Sequence, residues 1–389
     1  MKRRLVILTE IISPYRIPLF NALARHAEID LHVIFLAETD PTLRQWQVYK
    51  EEIQFSYQVL ASWRRRLRKY NMLLNRGVFR ALDASAPDVI LCGGYSYVAS
   101  WQSLAWARRR KVPFFLWSES NAEDLRRGHA IVEFLKNEFL RQCSGFVVSG
   151  RAAQEYLCEH KKVKEEIIFT APNAVDNDLF RAAATAARKN AATHRRELGL
   201  PERYFLFAGR LVREKGVFEL LSAYAKLEES TRRQVGLVLV GDGVCRQELE
   251  AAASSVSPGV IRFAGFAQRE QLAIYYALAE MLVLPTYADT WGLVVNEAMA
   301  CGLPVILSRA AGCASELVKE NWNGLLVLPR DVSSLTLAMQ TLAAQPELCA
   351  AMGANSAQHI LQYSPEEWSR GIGRMVEARM VAAKAGGRD

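Results

Sequence analysis

The sequence lacks the features that mark several common classes of protein. No apolar run approaches the roughly 18–20 residues that a membrane-spanning helix needs. The seven cysteines are scattered and form no C-x-x-C pair, and the six histidines include no H-E-x-x-H motif. These absences argue against a disulfide scaffold and a zinc centre, so we expect reduced thiols, no bound metal and no cofactor.

The commonest nucleotide-binding signatures are missing too. The chain contains neither G-x-G-x-x-G nor the P-loop G-x-x-x-x-G-K-[ST], which argues against a dehydrogenase and an NTPase. No D-x-D motif stands at the end of a predicted strand. The aromatic and basic pattern of an RNA-binding sheet is absent, as is a recognition-helix signal, so no nucleic-acid partner is predicted.

The positive charge of the chain is concentrated in its first half. The formal charge is +8, and residues 1–180 hold 26 Lys/Arg against 20 Asp/Glu, while the remainder holds 23 against 21. The densest cluster is WRRRLRKY, Trp63 to Tyr70. Such a cluster is either a solvated face or a contact with an anionic partner. We predict a peripheral contact with an anionic membrane through Trp63 to Arg80.

The opening MKRRLVILTE has a basic head but only four apolar residues in a row, Leu5 to Leu8. That run is shorter than the apolar region of a signal peptide. We interpret it as a first β-strand and expect a cytoplasmic protein that works at the inner face of the membrane.

Short apolar runs alternate with helical patterns along the whole chain. Continuous apolar strands separated by helices are typical of a parallel sheet covered on both faces, so the predicted class is α/β. We expect two Rossmann-like, doubly wound domains that face each other across a cleft, with ligands at the carboxyl ends of the strands. The predicted strands are RLVILT, DLHVIF, DVILCG, PFFLWS, GFVVSG, EEIIFT, YFLFAG, VGLVLVG, VIRFAG, EMLVLP, PVILS and NGLLVL. The predicted helices include Pro18–His26, Leu73–Asp83, Ser100–Arg110, GVFELLSAYAKLEE and QLAIYYALAE.

The domain boundary is predicted from composition. Residues 181–203 are small and charged and lack a strong apolar stripe, so we place a linker there. Near the C-terminus, Ser364 as N-cap and Pro365 at the first helical position predict a last helix that packs back on the first domain. The predicted parts are an N-terminal domain 1–180, the linker 181–203, a C-terminal domain 204–362 and a C-terminal helix 363–389.

The stretch TYADTWGLVVNEAMACGLPVIL, residues 286–307, places two carboxylates around a predicted helix start. The free N–H groups and partial positive charge of a helix start near Gly292 favour an anion by about 0.3–2 kcal/mol. Asp289 lies before this start and Glu297 in the second turn. The stretch therefore predicts a diphosphate at the helix start and sugar hydroxyls at the carboxylates. The alternative is a loop cap and an ordinary surface residue.

Two further strand ends carry residues suited to phosphate. FAGRLVREKGVFELL places Arg210 and Lys215 near Gly209, and a forked guanidinium and a compact ammonium both suit phosphate oxygens. LVLVGDGVCRQELE ends a strand at Gly241, where the missing side chain permits close approach to a nucleotide. A solvated basic loop and an ordinary tight turn are the alternatives.

Taken together, these motifs resemble the retaining family 4 glycosyltransferases with the GT-B fold, the glycosyl transferases group 1. The matching segments are GRLVREKG, VGDG…LE, FAGF, LPTYADTWGLVVNEAMACGLPVI, AGCASELVKENWNGLLV and PNAVDNDLF. The likeness is close over roughly residues 168–330, and in the first half it lies mainly in the rhythm of strands and helices. It implies a nucleoside-diphosphate sugar as donor and retention of configuration at the transferred sugar.

The resemblance also implies roles for residues of the second domain. Arg210 and Lys215 would hold the donor diphosphate, Glu297 the nucleotide ribose and Asp289 the donor sugar. Relatives usually carry glutamate where this chain has Asp289, which is one methylene shorter. The residues assigned to the donor site are Gly209, Arg210, Lys215, Gly241, Asp289, Trp291, Gly292, Leu293, Val294 and Glu297.

The first domain departs from the pattern of the relatives. Many have paired glycines after the first strand, where this chain has TEIISPYRIPLF, and a histidine after a mid-domain strand, where this chain reads LWSESN. LCGGYSY is a glycine turn that forms either an acceptor wall or an ordinary βα connection. The acceptor side is assigned to Tyr15, Arg16, Gly93, Gly94, Tyr95 and Asn121. The candidate catalytic residues are Asp289, Glu297, Arg210, Lys215 and Glu119.

The sequence thus predicts a retaining, metal-independent hexosyltransferase-type enzyme of cell-surface polysaccharide or glycolipid synthesis. It would move a sugar from a nucleoside-diphosphate sugar to a hydroxyl of a glycan or lipid-linked acceptor. Arg210, Lys215 and the helix start can stabilise the charge of the leaving diphosphate without a metal. A same-fold nucleotide-sugar epimerase or phosphorylase and a catalytically inactive nucleotide-binding module are the alternatives.

Overall fold

A computed structural model describes residues 2–40, 45–67, 70–121 and 130–385. Ala174–Ser364 form one compact unit, here the second unit, and the described residues on either side of that stretch form another, here the first unit. The strands are β1 Arg3–Thr9, β2 Ile29–Phe35, β3 Ser56–Val59, β4 Ser62–Leu67, β5 Tyr70–Asn75, β6 Val89–Cys92, β7 Phe114–Ser118, β8 Gly145–Val148, β9 Ile168–Thr170, β10 Arg203–Ala208, β11 Val235–Val240, β12 Ile261–Gly265, β13 Met281–Leu284, β14 Val305–Ser308 and β15 Gly324–Val327. The helices are α1 Ile17–Ala24, α2 Val78–Ser85, α3 Val98–Arg110, α4 Ala130–Gln142, α5 Arg151–Glu155, α6 Asn177–Lys189, α7 Ala191–Leu198, α8 Val217–Ala225, α9 Glu229–Gln234, α10 Arg246–Ala253, α11 Arg269–Leu278, α12 Leu293–Ala300, α13 Ala314–Leu317, α14 Val332–Ala343, α15 Pro346–His359 and α16 Pro365–Ala385.

The first unit is built on a parallel sheet with the strand order β3-β2-β1-β6-β7-β8-β9. The chain runs outward from β1 to β3 and then returns to add β6 on the other side of β1. This reversal creates a switch point between β1 and β6, where the loops after the two strands part and leave a crevice for ligands. Side chains of β1 alternate, so that Leu5 and Ile7 join one core and Val6 and Leu8 the other.

Two layers of helices cover the two faces of this sheet. On one face, α2, α3 and α4 and the antiparallel hairpin of β4 and β5 contribute buried residues to the core. On the other face, α1 and α16 contribute theirs. Trp368 of α16 is fully buried there, with its ring centroid 5.8 Å from that of Phe20 and 5.3 Å from that of Trp117. The last helix therefore belongs to the core of the first unit.

The second unit has a parallel sheet with the order β12-β11-β10-β13-β14-β15 and one continuous core. Its strands are buried on both faces, as β11 illustrates with six buried residues in a row. The chain reverses its direction of travel between β10 and β13. The loops after these two strands, residues 209–216 and 285–292, therefore lie at the switch point of this sheet.

All twelve predicted strands are confirmed, because long apolar runs bounded by polar turns leave little choice of conformation. The helix predicted over Leu73–Asp83 is confirmed from Val78 onward, but its predicted start is wrong. Leu73 still belongs to β5, and α2 begins only at Val78. Gly77, with φ +80°, makes the turn between them in the left-handed region that a helix interior excludes.

The stretch 181–203 also differs from the linker that its composition predicted. It carries the rest of α6 and all of α7, and the division between the two units falls at Asn173 and Ala174. Phe180, Ala184 and Ala187 of α6 are buried at helical spacing against the second unit. Alanines bury little area each, so this stripe gives only a weak hydrophobic signal in the sequence.

None of the helices in the described ranges has the length and apolar content to cross a bilayer. Within the basic cluster Trp63 to Tyr70, Arg68 and Lys69 and the side chains of residues 66–71 lie outside the described structure. Arg64 points inward instead, because it pairs with the carboxylate of Asp40, which is only 2% exposed.

Replacing Trp368 tests whether α16 is part of the core of the first unit. Trp368→Ala is expected to cost about 3–5 kcal/mol of the free energy of unfolding, because it leaves a large cavity between two aromatic rings. Trp368→Phe should cost much less, since the indole N–H has no hydrogen-bond partner among the described residues. Urea unfolding followed by tryptophan fluorescence and circular dichroism measures both. If both variants lost equally little free energy of unfolding, α16 would be peripheral to the core.

Candidate functional site

The candidate donor site begins where the loop after β10 meets the loop after β13. The carbonyl of Glu214 accepts a hydrogen bond from the Tyr287 N–H at 2.8 Å and another from the Thr286 hydroxyl at 2.9 Å. Gly216 adopts φ +69°, and a Cβ atom there would lie 2.0 Å from the carbonyl oxygen of Pro285. The two loops can meet this closely only because Gly216 has no side chain.

This close approach pairs Lys215 with Asp289. The ammonium of Lys215 donates to Asp289 Oδ2, and the two side chains are only 16% and 15% exposed. Partial burial strengthens the attraction between these charges relative to an exposed pair. The sequence predicted that both residues act at one site, and the structure brings them into direct contact.

A second close contact fixes the glycines after β10 and β11. The Gly209 N–H donates to the Val240 carbonyl at 3.0 Å, and a Cβ atom on Gly241 would lie 1.9 Å from the Gly209 carbonyl oxygen. Arg210, the residue after Gly209, is exposed. No hydrogen bond or ion pair joins its guanidinium to another residue in the ranges that the structure describes. Arg210 is thus a cation available to an anionic ligand.

Helix α12 starts at the same edge of the sheet. Gly292, at φ +101°, is its N-cap and provides no side chain to satisfy the first N–H groups, which include those of Leu293 and Val294. The first turn of a helix therefore offers backbone donors and a partial positive charge here. The assignment of Trp291 to the donor site is corrected for its side chain. The indole is 2% exposed and donates to Asn296 Oδ1 at 2.8 Å, so it belongs to the core.

Glu297 lies in the second turn of α12 and is partly buried. Its carboxylate accepts a hydrogen bond from the Tyr276 hydroxyl at 2.8 Å. Burial raises the pKa of Glu297 to about 7, and the hydrogen bond from Tyr276 opposes that rise. Burial, together with the neighbouring carboxylate, also raises the pKa of Tyr276, which therefore remains a donor. The arrangement can hold a carboxylate ready to accept hydrogen bonds from a ligand.

In the first unit, Arg16 and Glu119 lie at the carboxyl edge of the sheet, beside the switch point. Arg16 donates to the Thr9 hydroxyl at 2.6 Å, and its guanidinium lies 4.5 Å from the Trp117 ring centroid. The Glu119 carboxylate is 3.8 Å from Arg16 Nη2 and accepts a hydrogen bond from Asn173 Nδ2 at 3.1 Å. Because its side chain is still 31% exposed, Glu119 is oriented by its neighbours yet reachable.

The other residues assigned to the acceptor side are spread around this pair. The Tyr15 ring meets the Trp46 ring edge-on, with 5.9 Å between their centroids. A Cβ atom on Gly93 would lie 3.2 Å from Thr9 Oγ1, so Gly93 lies close to Thr9. A Cβ atom on Gly94 would have no neighbour within 4 Å. Tyr95 turns toward α4, where Lys136 Nζ lies 5.4 Å from its ring centroid. Asn121 is 4% exposed and therefore buried. The structure thus places Arg16 and Gly93 beside Thr9, whereas Tyr15 packs against Trp46 and Tyr95 turns toward α4.

Sequence reasoning missed four residues that shape these sites: Thr9, Asn173, Tyr276 and Thr286. Asn173, Tyr276 and Thr286 act through contacts with distant parts of the chain, and Thr9 through the side chain of Arg16 seven residues later, which no local pattern reveals. Asn173 stood in the segment PNAVDNDLF and Thr286 in the stretch TYADTWGLVV, so their places within these motifs were an available signal. Within the described residues, no group of three or more His, Cys, Asp or Glu side chains is placed to hold a metal ion.

The raised pKa of Glu297 predicts a specific pH dependence of stability. A folded-state pKa above the usual 4.5 means that ionising the carboxyl destabilises the fold, increasingly as pH rises from about 4.5 to 7. Glu297→Gln keeps an acceptor for Tyr276 without the charge. Its stability relative to wild type should therefore rise between pH 5 and 8, by on the order of 1–3 kcal/mol. Unfolding curves at several pH values measure this. Glu347→Gln, at an exposed glutamate, is the control. If the free energy of unfolding of Glu297→Gln followed that of the wild type in parallel from pH 5 to 8, the expectation would be contradicted.

Comparisons with known proteins identify the two halves of the chain. Residues 19–179 match the family model described as Glycosyltransferase Family 4, and residues 190–359 match the one described as Glycosyl transferases group 1. A D-inositol 3-phosphate glycosyltransferase of Corynebacterium jeikeium is 32% identical over 227 residues, which are 56% of this chain and 53% of that protein. The chain thus spans about half the length of the curated relatives it matches.

Solved structures share the fold over nearly the whole chain. HepE of Anabaena in complex with UDP has a TM-score of 0.75 at 18% identity, over 97% of this chain and 100% of that one. Sucrose-phosphate synthase of Thermosynechococcus elongatus has a TM-score of 0.72 at 22% identity, over 98% of this chain and 100% of that one. At these identities the likeness shows the GT-B fold of two Rossmann-like domains. With both family models matched in order along the chain, the protein belongs to the family 4 glycosyltransferases.

Proposed function

We propose that the protein transfers a sugar from a nucleoside-diphosphate sugar to an acceptor hydroxyl, with retention at the anomeric carbon. The observation that carries the proposal is the contact of Lys215 with Asp289 at the switch point of the second sheet, next to the start of α12. The loops after β10 and β13 together provide a cation, a carboxylate and the N–H groups of a helix start. These groups match the diphosphate and the sugar of such a donor. The diphosphate needs the cation and the N–H groups, and the sugar hydroxyls need the carboxylate.

In this proposal, breaking the bond between the anomeric carbon and the diphosphate is helped by groups already in place. Negative charge grows on the departing phosphate, and Lys215, the exposed Arg210 and the start of α12 stabilise it. The acceptor oxygen bonds to the anomeric carbon, and its proton leaves with the nucleoside diphosphate. Glu297 accepts hydrogen bonds from the ribose. The phosphate competes with Asp289 for Lys215, which frees the carboxylate for the sugar.

Metal independence and retention are parts of the same proposal. Two cations and a helix start supply the charge that a divalent ion would otherwise supply. HepE has been crystallised with UDP-glucose, which supports a nucleotide sugar as the donor class here. The acceptor is a glycan or a lipid-linked sugar of cell-surface polysaccharide or glycolipid synthesis, met at the cytoplasmic face of the membrane.

Donor binding is tested by thermal shift, without metal and again with EDTA. UDP-, GDP-, ADP- and dTDP-sugars are compared on the wild type, Lys215→Ala and Glu297→Ala. A ligand at 100 times its dissociation constant adds about 2.7 kcal/mol, so one nucleotide family should clearly raise the melting temperature. Both variants should lose most of that rise.

Exposed Lys226→Ala, at the far end of α8, is the matched control and should keep the full shift. A shift that needs Mg²⁺ would overturn metal independence. Shifts without turnover on any acceptor would favour an inactive nucleotide-binding module. The anomeric configuration of the product, read from proton coupling constants, decides retention. No shift from any nucleotide would refute the donor site.

We further propose that Glu119 accepts a hydrogen bond from a sugar hydroxyl and that Arg16 orients it. The Arg16 guanidinium lies 3.8 Å from the Glu119 carboxylate, so the cation can hold the carboxylate in one orientation. Arg16→Ala and Glu119→Gln should each lower kcat/KM by ten- to a hundredfold. Because the residues act as a unit, the double variant should lose little more than either single one.

The nucleotide-induced thermal shift should persist in all three variants, since nucleotide binding is assigned to the second unit. Arg25→Ala, at the exposed end of α1, is the control and should keep full activity. Losses that multiply in the double variant would show that Arg16 and Glu119 act independently.

A further inference from the structure

The β4–β5 hairpin and helices α2, α3 and α4 form what we call the hairpin–helix layer of the first unit. Their inner side chains, among them Leu73, Leu82, Leu104 and Phe139, join one core beneath them. Neighbouring members touch directly, as where the Trp101 ring of α3 meets the Phe139 ring of α4 at 5.0 Å. The layer is therefore a packed part of the fold, and its outer surface is fixed.

That outer surface exposes an unusual amount of apolar side chain. In the first half of α4, Ile131 is 73% exposed, Val132 51%, Phe134 65% and Leu135 46%. Four large apolar residues within five positions cannot be explained as scattered surface hydrophobics. Contiguous exposed patches of this kind mark sites that bind a partner or a membrane. Elsewhere in the layer, Trp63, Met72, Phe79 and Val98 are exposed as well.

The exposed polar residues of the layer are mostly basic. The exposed cations of its elements and of the turn between β5 and α2 are Arg65, Arg76, Arg80, Arg108, Arg109, Arg110 and Arg141. The described carboxylates of the layer are all engaged. Asp83 accepts from Arg110 at 2.8 Å, Glu133 from Lys161 at 2.7 Å and Glu138 from Gln142 at 2.6 Å. The layer therefore presents apolar residues beside a surplus of positive charge.

Apolar and basic residues also separate along α4. The apolar residues lie in its first half, while Arg141 ends it and Arg108 of α3 bonds Gln142 there at 2.6 Å. The exposed Lys162 and Lys164 border the same end of the helix. Elements that lie at a membrane interface combine apolar side chains, which enter the lipid, with Lys and Arg, which meet anionic headgroups, and α4 with its surroundings supplies both.

We propose that the hairpin–helix layer docks the protein on an anionic lipid bilayer. The first half of α4 enters the acyl region, and the surrounding arginines and lysines contact lipid phosphates. The inference deepens the proposed function, on which it rests for the idea that the acceptor is held at a membrane. The main element of insertion is then α4. The stretch Trp63 to Arg80, which the sequence predicted as the membrane contact, becomes part of the flank.

A second copy of this chain fits the surface less well than a bilayer does. A two-fold symmetric dimer would press the same patch against itself, and so would bring the arginines of both copies together. Like charges brought together in this way oppose association. An anionic bilayer instead offers an apolar interior and negative headgroups at the same time, which matches both parts of the surface.

The test is co-sedimentation of the full-length chain with vesicles of phosphatidylcholine alone or with 30% phosphatidylglycerol. The wild type is expected to bind the anionic vesicles at least tenfold more strongly, and less so at high salt. Phe134→Ser combined with Leu135→Ser should lower that binding at least tenfold. Leu328→Ser combined with Leu337→Ser, two equally exposed apolar residues of the second unit, is the matched control and should change nothing.

Three results would overturn the proposal. They are equal binding to both vesicle types, unchanged binding of the α4 variant, and a wild type that runs as a dimer in gel filtration while the α4 variant runs as a monomer. The last would assign the patch to a second copy. The nucleotide thermal shift, measured on the same samples, shows that each variant is folded. It also separates the two ideas, because a missing shift with intact vesicle binding would refute the donor site and leave the docking surface standing.

Discussion

The candidate donor site depends on how closely two loops approach at the switch point of the second sheet. The Glu214 carbonyl accepts two hydrogen bonds from the loop after β13, and Gly216 leaves no room for a Cβ atom against Pro285. Only with this spacing can Lys215 reach Asp289. A parallel sheet brings the ends of β10 and β13 together in any case, and the glycine decides whether their loops touch.

From this contact, a series of hydrogen bonds extends through the second unit. The Asp289 carbonyl accepts from the Gly312 N–H at 2.9 Å, which ties the site to the segment before α13. At the other end of α13, the Glu316 carbonyl accepts from His359 Nε2 at 2.9 Å and from the Tyr363 hydroxyl at 3.0 Å. A carbonyl can only accept, so His359 carries a proton on Nε2. His359 at the end of α15 and Tyr363 beyond it thus bond α13, whose preceding segment bonds the loop that carries Asp289.

The sequence predicts well what local chemistry decides. Apolar runs reveal the strands, and strand-end loops with glycine and cations indicate the candidate donor site, since the carboxyl ends of parallel strands are where ligands bind. It predicts poorly what depends on distant contacts. Asn173 and Glu119 lie 54 positions apart, and nothing in either segment announces their bond. Trp291 shows the same limit, because a tryptophan in a predicted site loop is as suited to the core as to a ligand.

The two units use burial in opposite ways. In the second, Glu297 is held partly buried beside Tyr276, which raises its pKa to about 7 and costs folding free energy when it is ionised. In the first, large apolar side chains of α4 are left in water, so their apolar area contributes no hydrophobic stabilisation to the fold. Folding of the isolated chain requires neither the partly buried carboxyl nor the exposed apolar side chains. A ligand that bonds the carboxylate would offset the cost of ionising it. A surface that covers the helix would gain the free energy of burying its apolar side chains. Unfavourable placement of this kind is therefore a physical reason to look for binding partners at these two places.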